Sequence, residues 1–150
     1  MIDRTKIELS IKDYFRGTGL FLVGVKVSSS NRIIVLADKN EGITIDECAR
    51  LHHHIEKALN RDIEDFELQV SSPGLDMPFA VIEQYYKNEG KKVSVVDNEG
   101  LKHTGILRNV TSGGFDLETE IKVKGKAKEK KEISFNFDQI KSVKIVLTIE

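Results

Sequence analysis

The chain has 150 residues, 39% of them hydrophobic and 31% charged, with a formal net charge of −1. That is room for one medium domain or two small ones with a packed core. It excludes a global electrostatic pull toward nucleic acid, and neither half, divided at Ser72, departs far from neutrality. No apolar run approaches the ~18 residues of a membrane span, MIDRTKIE has no signal-peptide core, and the single cysteine, Cys48, excludes an internal disulfide. A reducing cytoplasmic setting is therefore expected.

Thr5-Lys6-Ile7-Glu8 has the S/T-x-x-E form of a capping box and predicts a helix start. Ile7, Ile11 and Tyr14/Phe15 follow at helical spacing, and Gly17 and Gly19 stop the helix. Residues 20–27 predict a strand with Phe21, Val23, Val25 and Val27 on one face. Ser28-Ser29-Ser30-Asn31 is turn chemistry, and residues 33–37 predict a second, buried strand that closes a hairpin. Thr44-Ile45-Asp46-Glu47 is another capping box, with Ile43 placed to staple onto Cys48. Ile45, Cys48, His52, Ile55 and Leu59, with Leu51 and Ala58 beside them, predict one buried helix face. Asn60 should end that helix, with Lys57 and Arg61 favourable at the negative end of its dipole. A third strand over 66–71 completes an α-β-β-α-β domain, residues 1–72.

Both prolines lie in the next stretch, ELQVSSPGLDMPF. Pro73 fixes its own φ, and Gly74 can supply the positive φ of a type II turn over Ser72-Pro73-Gly74-Leu75. Pro78 should keep Asp76-Met77 extended. Leu75, Met77 and Phe79, two apart, could anchor the stretch between two bodies. Residues 73–90 thus read as a stiff connector carrying a short helix over 79–86, although an ordinary Pro-Gly turn inside one domain accounts for the composition equally well. From Lys92 onward, VSVVD, HTGILRNV, GFDLET, KEISFNF and VKIVLTI alternate with turn residues. Five short strands over 91–150 predict a small closed β-barrel of SH3/Sm-like type, with Phe137-Asp138-Gln139 as one helical turn before the last strand. The fold class is therefore α+β.

Candidate chemistry is sparse. His52-His53-His54 with Cys48 at i,i+4 invites a metal reading, but three consecutive helical positions point about 100° apart. Cys48 plus one histidine does not make a site, and His53 and His54 should face solvent. Gly17-Thr18-Gly19 follows a helix and precedes a strand, the reverse of a dinucleotide fingerprint, and no G-x-x-x-x-G-K is present. Ser71 or Ser72 with a histidine lacks the G-x-S-x-G elbow of a nucleophile. No enzyme, metal or cofactor is expected. Residues 122–131 (KVKGKAKEKK) hold six lysines against one glutamate. They read as a solvated hairpin loop in which Lys122, Lys124, Lys126 and Lys128 are candidates for weak phosphate contacts.

Two motifs carry a family resemblance. Val70-Ser71-Ser72-Pro73-Gly74-Leu75-Asp76 followed by Pro78 resembles the signature of the bacterial ribosome maturation factor family RimP. Gly42-Ile43-Thr44-Ile45-Asp46-Glu47-Cys48-Ala49 is similar to that family's second motif, and residues 34–38 resemble the strand ending in aspartate before it. Asp138-Gln139-Ile140 is similar to the family's acidic-x-Ile before the last strand. Met77 departs from the usual basic residue, and His52-His53-His54 replaces a serine and basic residues. The resemblance implies a non-enzymatic, cytoplasmic assembly factor that binds the immature small (30S) ribosomal subunit, touching rRNA and the ribosomal protein near the decoding centre (the twelfth small-subunit protein). It also implies an α/β domain joined to an Sm/SH3-like barrel. Ser71, Ser72, Pro73, Gly74, Leu75, Asp76 and Pro78 are the candidate interdomain or ribosome-interaction residues, and a monomer is expected. A general RNA-binding Sm-like module is the alternative.

Overall fold

Asp3 begins the first helix. In a computed structural model describing residues 2–59, 64–121, 125 and 129–147, its carboxylate accepts the Thr5 N–H at 3.0 Å and α1 runs Arg4–Phe15. The expected Thr5…Glu8 box is not the cap. An aspartate two residues upstream is an equally good acceptor, and Glu8 pairs with Arg4 at 2.8 Å instead. Ile7, Ile11 and Phe15 are buried as the spacing requires, and Gly17 and Gly19 take φ of +75° and +79°.

Strands β1 (Phe21–Val27) and β2 (Arg32–Asp38) form the antiparallel hairpin, helix α2 (Ile45–Ala58) crosses over, and β3 (Glu67–Ser71) pairs parallel to β2. The sheet order is β1-β2-β3. The expected single face Phe21/Val23/Val25/Val27 is broken by a register shift between Leu22 and Gly24. One extra residue reverses the side-chain parity. Leu20 and Leu22 therefore pack on the core before the bulge, and Val25 and Val27 after it. Ile33, Val35 and Ala37 are fully buried under α1 and α2, together with Leu51, Ile55 and Phe66. Each fully buried Ile or Val contributes about 1.5–3 kcal/mol. Helix α2 turns a narrower face inward than the heptad spacing suggested: Ala58 is exposed and Ile45 is 91% exposed. The helix ends at Ala58 with Leu59 as its cap. Asn60 and Arg61 lie outside the described residues.

The chain divides into two compact units, Met1–Pro73 and Gly74–Glu150, each with its own hydrophobic cluster. In the second, a short helix α3 (Ile82–Lys87) precedes β4 (Lys92–Asp97), β5 (Lys102–Arg108), β6 (Gly114–Ile121), β7 (Glu129–Asn136), the 3-10 turn Phe137–Gln139 and β8 (Ile140–Ile145). The last strand begins at Ile140, three residues before the predicted VKIVLTI run. The expected α+β architecture is present, but the barrel is not closed. The strand order is β7-β6-β5-β4-β8, and among the described residues the edge strands β7 and β8 do not pair. The 3-10 turn carries the chain from one edge to the other, where β8 finds β4 as its partner. Val93, Val95, Leu107, Leu117 and Val143 are fully buried in this core, and Tyr85 packs edge-on to Phe79 and Phe137. Burial pushes the Tyr85 hydroxyl up to about 12. Among the described residues no helix is long and apolar enough to cross a membrane.

Candidate functional site

The loop from β2 into α2 is built on carboxylates. Asp38, buried at the strand end, accepts the Ile43 N–H at 3.1 Å. Gly42 takes φ of +89°, which a β-carbon would strain, and its N–H reaches the Lys39 carbonyl at 2.9 Å. The capping box predicted at Thr44 is complete. Thr44 Oγ1 accepts the Glu47 N–H at 3.0 Å, and Glu47 Oε1 accepts the Thr44 N–H at 3.1 Å. Lys39 Nζ donates to both Glu47 oxygens, at 2.9 and 3.0 Å. The Lys39 hydrogen bond, then the Thr44 N–H, hold the Glu47 carboxyl below the usual carboxylate range. This rigid entry places Ile45 at the first helical position, pointing out, beside the Asp46–Arg50 pair at 2.8 Å. The sequence placed Ile45 in the core. Ile43, just outside the helix, packs on that core instead.

The three histidines enter three surroundings. His52 Nδ1 lies 2.7 Å from Glu56 and its Nε2 lies 3.2 Å from the Leu68 carbonyl. His53 is exposed. His54, expected in solvent, stacks on Tyr14 with centroids 4.5 Å apart and reaches Ser10 Oγ at 3.1 Å. It pins α2 to α1. Cys48 is half-buried, and burial pushes its thiol up. Among the described residues no group of three or more metal-ligating side chains converges.

The signature stretch departs from expectation. Ser71 ends β3 opposite Leu36; Ser71 and Pro73 are half-buried, and Ser72 is exposed. Gly74 does not have a positive φ, so the type II turn over residues 72–75 is not formed. The turn runs over residues 74–77 instead, closed by the Met77 N–H to the Gly74 carbonyl at 3.1 Å. Asp76 and Met77 are thus part of the turn rather than extended. A β-carbon on Gly74 would stand 2.7 Å from Asp76 Oδ1, the movable end of an exposed side chain. Leu75 is 67% exposed, and Asp76, Met77 and Pro78 are exposed with it. Of the three expected anchors only Phe79 is seated, with its N–H on the Val143 carbonyl at 2.7 Å.

Lys122, Lys124, Lys126 and Lys128 lie outside the described residues. The sequence places a turn at Asp97-Asn98-Glu99-Gly100, and it is there between β4 and β5; the pairing of Asp97 with His103 was missed. Asp97 Oδ1 accepts the N–H groups of Glu99 and Leu101, and its Oδ2 lies 2.9 Å from His103 Nε2. The hydrogen bond to His103 holds Asp97 below the usual carboxylate range. Asp97, Asn98, Glu99, Ser134, Phe135 and Gln139 line an open groove of about 330 Å³ here. The i,i+6 Asp–His spacing across a hairpin was the available signal.

Over 131 residues, the chain is 40% identical to the Ribosome maturation factor RimP of Porphyromonas gingivalis, covering 87% of this chain and 86% of that protein. This chain belongs to the RimP family. The RimP factor of Christiangramia forsetii is 29% identical over 151 residues, 97% of this chain and 98% of that protein. The RimP of Chlorobium luteolum is 31% identical over 144 residues, 83% of this chain and 82% of that protein. The family model described as the RimP N-terminal domain matches residues 10–76. That RimP span contains Asp38, the Thr44–Glu47 cap and the signature stretch through Asp76.

Proposed function

We propose that this chain is a non-enzymatic, cytoplasmic ribosome maturation factor that binds the immature small subunit and promotes its maturation. The observation that carries the reading is the similarity to RimP relatives over most of both lengths. The exposed positions fit it. Ile45, set out on a braced helix start, and Leu75 and Met77, set out on a tight turn, are apolar groups presented to a partner rather than used in a core. In this proposal Ser71, Ser72, Pro73, Gly74, Leu75, Asp76 and Pro78 shape or supply contacts with the subunit. Residues 1–72 and 91–150 act as two modules joined by 73–90, and the factor works as a monomer. Its partners are rRNA and the ribosomal protein near the decoding centre.

Sedimentation with purified small subunits on a sucrose gradient tests this. The chain should travel with immature small subunits and not with assembled ribosomes. Sedimentation only at the top of the gradient, with immature subunits present, would end the proposal.

A further inference from the structure

The antiparallel register sorts the second unit's side chains into two faces. Val93, Val95, His103, Leu107 and Val143 turn inward. The opposite face of β8, β4 and β5 carries Ser94 between Lys144 and Thr104, then Val96 between Ser142 and Lys102, with Lys92 opposite Ile106. Lys92, Lys102, Lys144 and Thr104 are all exposed. Among the described residues none of these three lysines is in an ion pair. Strand spacing and rise put them roughly 8–14 Å apart at Cα. That is about one Debye length at 0.1 M salt, so an approaching polyanion feels their combined field.

The same face changes sign toward β6 and β7. Asp116, Glu118 and Glu132 lie there, and they are already engaged. Arg108 and Lys130 hold Glu118 at 3.0 and 3.2 Å. Asn109 bridges Asp116 and Glu132 at 2.9 and 3.3 Å, and Ser134 donates to Asp116 at 2.6 Å. Glu118 is balanced by two cations, whereas Asp116 and Glu132 are held by neutral donors and keep their charge, so the attraction for negative charge is confined to the β8-β4-β5 half of the face.

The geometry points to the β8-β4-β5 outer face as a binding surface for the RNA phosphate backbone. It rests on the reading of this chain as a factor acting on an RNA-containing particle, and it names the surface used. Lysines neutralise phosphates, and the hydroxyls of exposed Thr104 and half-buried Ser142 can donate to phosphate oxygens, while Ser94 is buried between its neighbours. No aromatic side chain stands among the paired residues of this face, so no base-stacking platform is present. Binding is therefore independent of sequence.

The test is a fluorescence titration of the full chain with a 20-nucleotide single-stranded RNA of mixed sequence across a salt series. Three phosphate contacts give a slope of log affinity against log salt of about −2. Lys92→Ala, Lys102→Ala and Lys144→Ala should each make it shallower by about 0.7, and the triple variant should lose at least tenfold in affinity at low salt. The triple Lys→Gln variant, which keeps the length of the side chains, should lose the same. Melting curves establish that both triple variants are folded. Parental affinity in the triple variants overturns the proposal. So does loss of binding on replacing Lys122, Lys124, Lys126 and Lys128 alone, which would assign the contact to the loop. Tighter binding of polyglutamate than of the RNA at equal charge overturns RNA as the ligand and leaves an acidic protein. Sedimentation with small subunits separates this inference from the one beneath it. A parent that does not sediment with them defeats the assembly reading, while a triple variant that sediments like its parent defeats only this face.

Discussion

Thr44 shows what one side chain does at the start of a helix. Its hydroxyl satisfies the Glu47 N–H, which no helical carbonyl can reach. Thr44→Ala should cost about 1 kcal/mol, read as a lowered denaturant midpoint of the full chain; an unshifted midpoint would remove the cap from the account. Gly74 behaves differently from its sequence appearance. Because its φ is not positive, alanine there meets only the movable Asp76 carboxylate. Gly74→Ala should therefore cost under ~0.5 kcal/mol, and a Tm falling by many degrees would show that the carboxylate cannot swing aside. Asp97 sets a pH dependence. Its folded-state value is depressed, so its contribution is full above the usual carboxylate value of about 4 and is lost as pH falls through the lower folded value. Asp97→Asn should flatten the acid limb of the stability curve below about pH 4. An acid limb identical to the parent's would place the acid sensitivity elsewhere.

Elements were more legible than the faces they bury. Apolar spacing and turn residues suffice for α1, the β1–β2 hairpin, α2 and the five later strands, because these follow from local chemistry. The bulge at Leu22/Gly24 was not legible, since it depends on how β1 pairs with β2 and then inverts every later side chain of the strand. Ile45 was misplaced because heptad spacing marks candidates for a face without saying where the neighbouring elements stop. In the candidate site, the cap and the identity of the turn residues were readable. The turn's position at residues 74–77 was not, because Pro-Gly chemistry favours a turn centred on residues 73 and 74 and does not show that the closing hydrogen bond runs from the Met77 N–H to the Gly74 carbonyl. The α1–α2 contact offers a test at this scale. Tyr14 and His54 stack within 4.5 Å, and such pairs contribute about 0.5–1.5 kcal/mol beyond burial. His54→Ala should lose that amount and speed hydrogen exchange at the end of α2, whereas His53→Ala, at an exposed position, should do neither.

At the scale of the whole molecule, the chain keeps two cores rather than one. Ile33, Val35, Leu51 and Ile55 are in one cluster, and Val93, Leu107, Leu117 and Val143 are in the other; the two clusters share no residue. Cooperativity follows contiguous packing, so cavities in separate cores act on separate groups of amides. Leu117→Ala empties a fully buried position and should cost about 2–5 kcal/mol. In native-state hydrogen exchange that loss should appear at the amides of β4, β5 and β6, while those of β2 keep their parental protection. Leu51→Ala, equally buried in the other cluster, should show the reverse pattern. The two substitutions have no shared partners, so their effects on the melting of the double variant should add within about 0.5 kcal/mol. If Leu117→Ala lowers protection equally in β2 and β5, the two clusters unfold as one cooperative body. The two-module organisation proposed for this maturation factor would then be wrong, even with both cores as drawn.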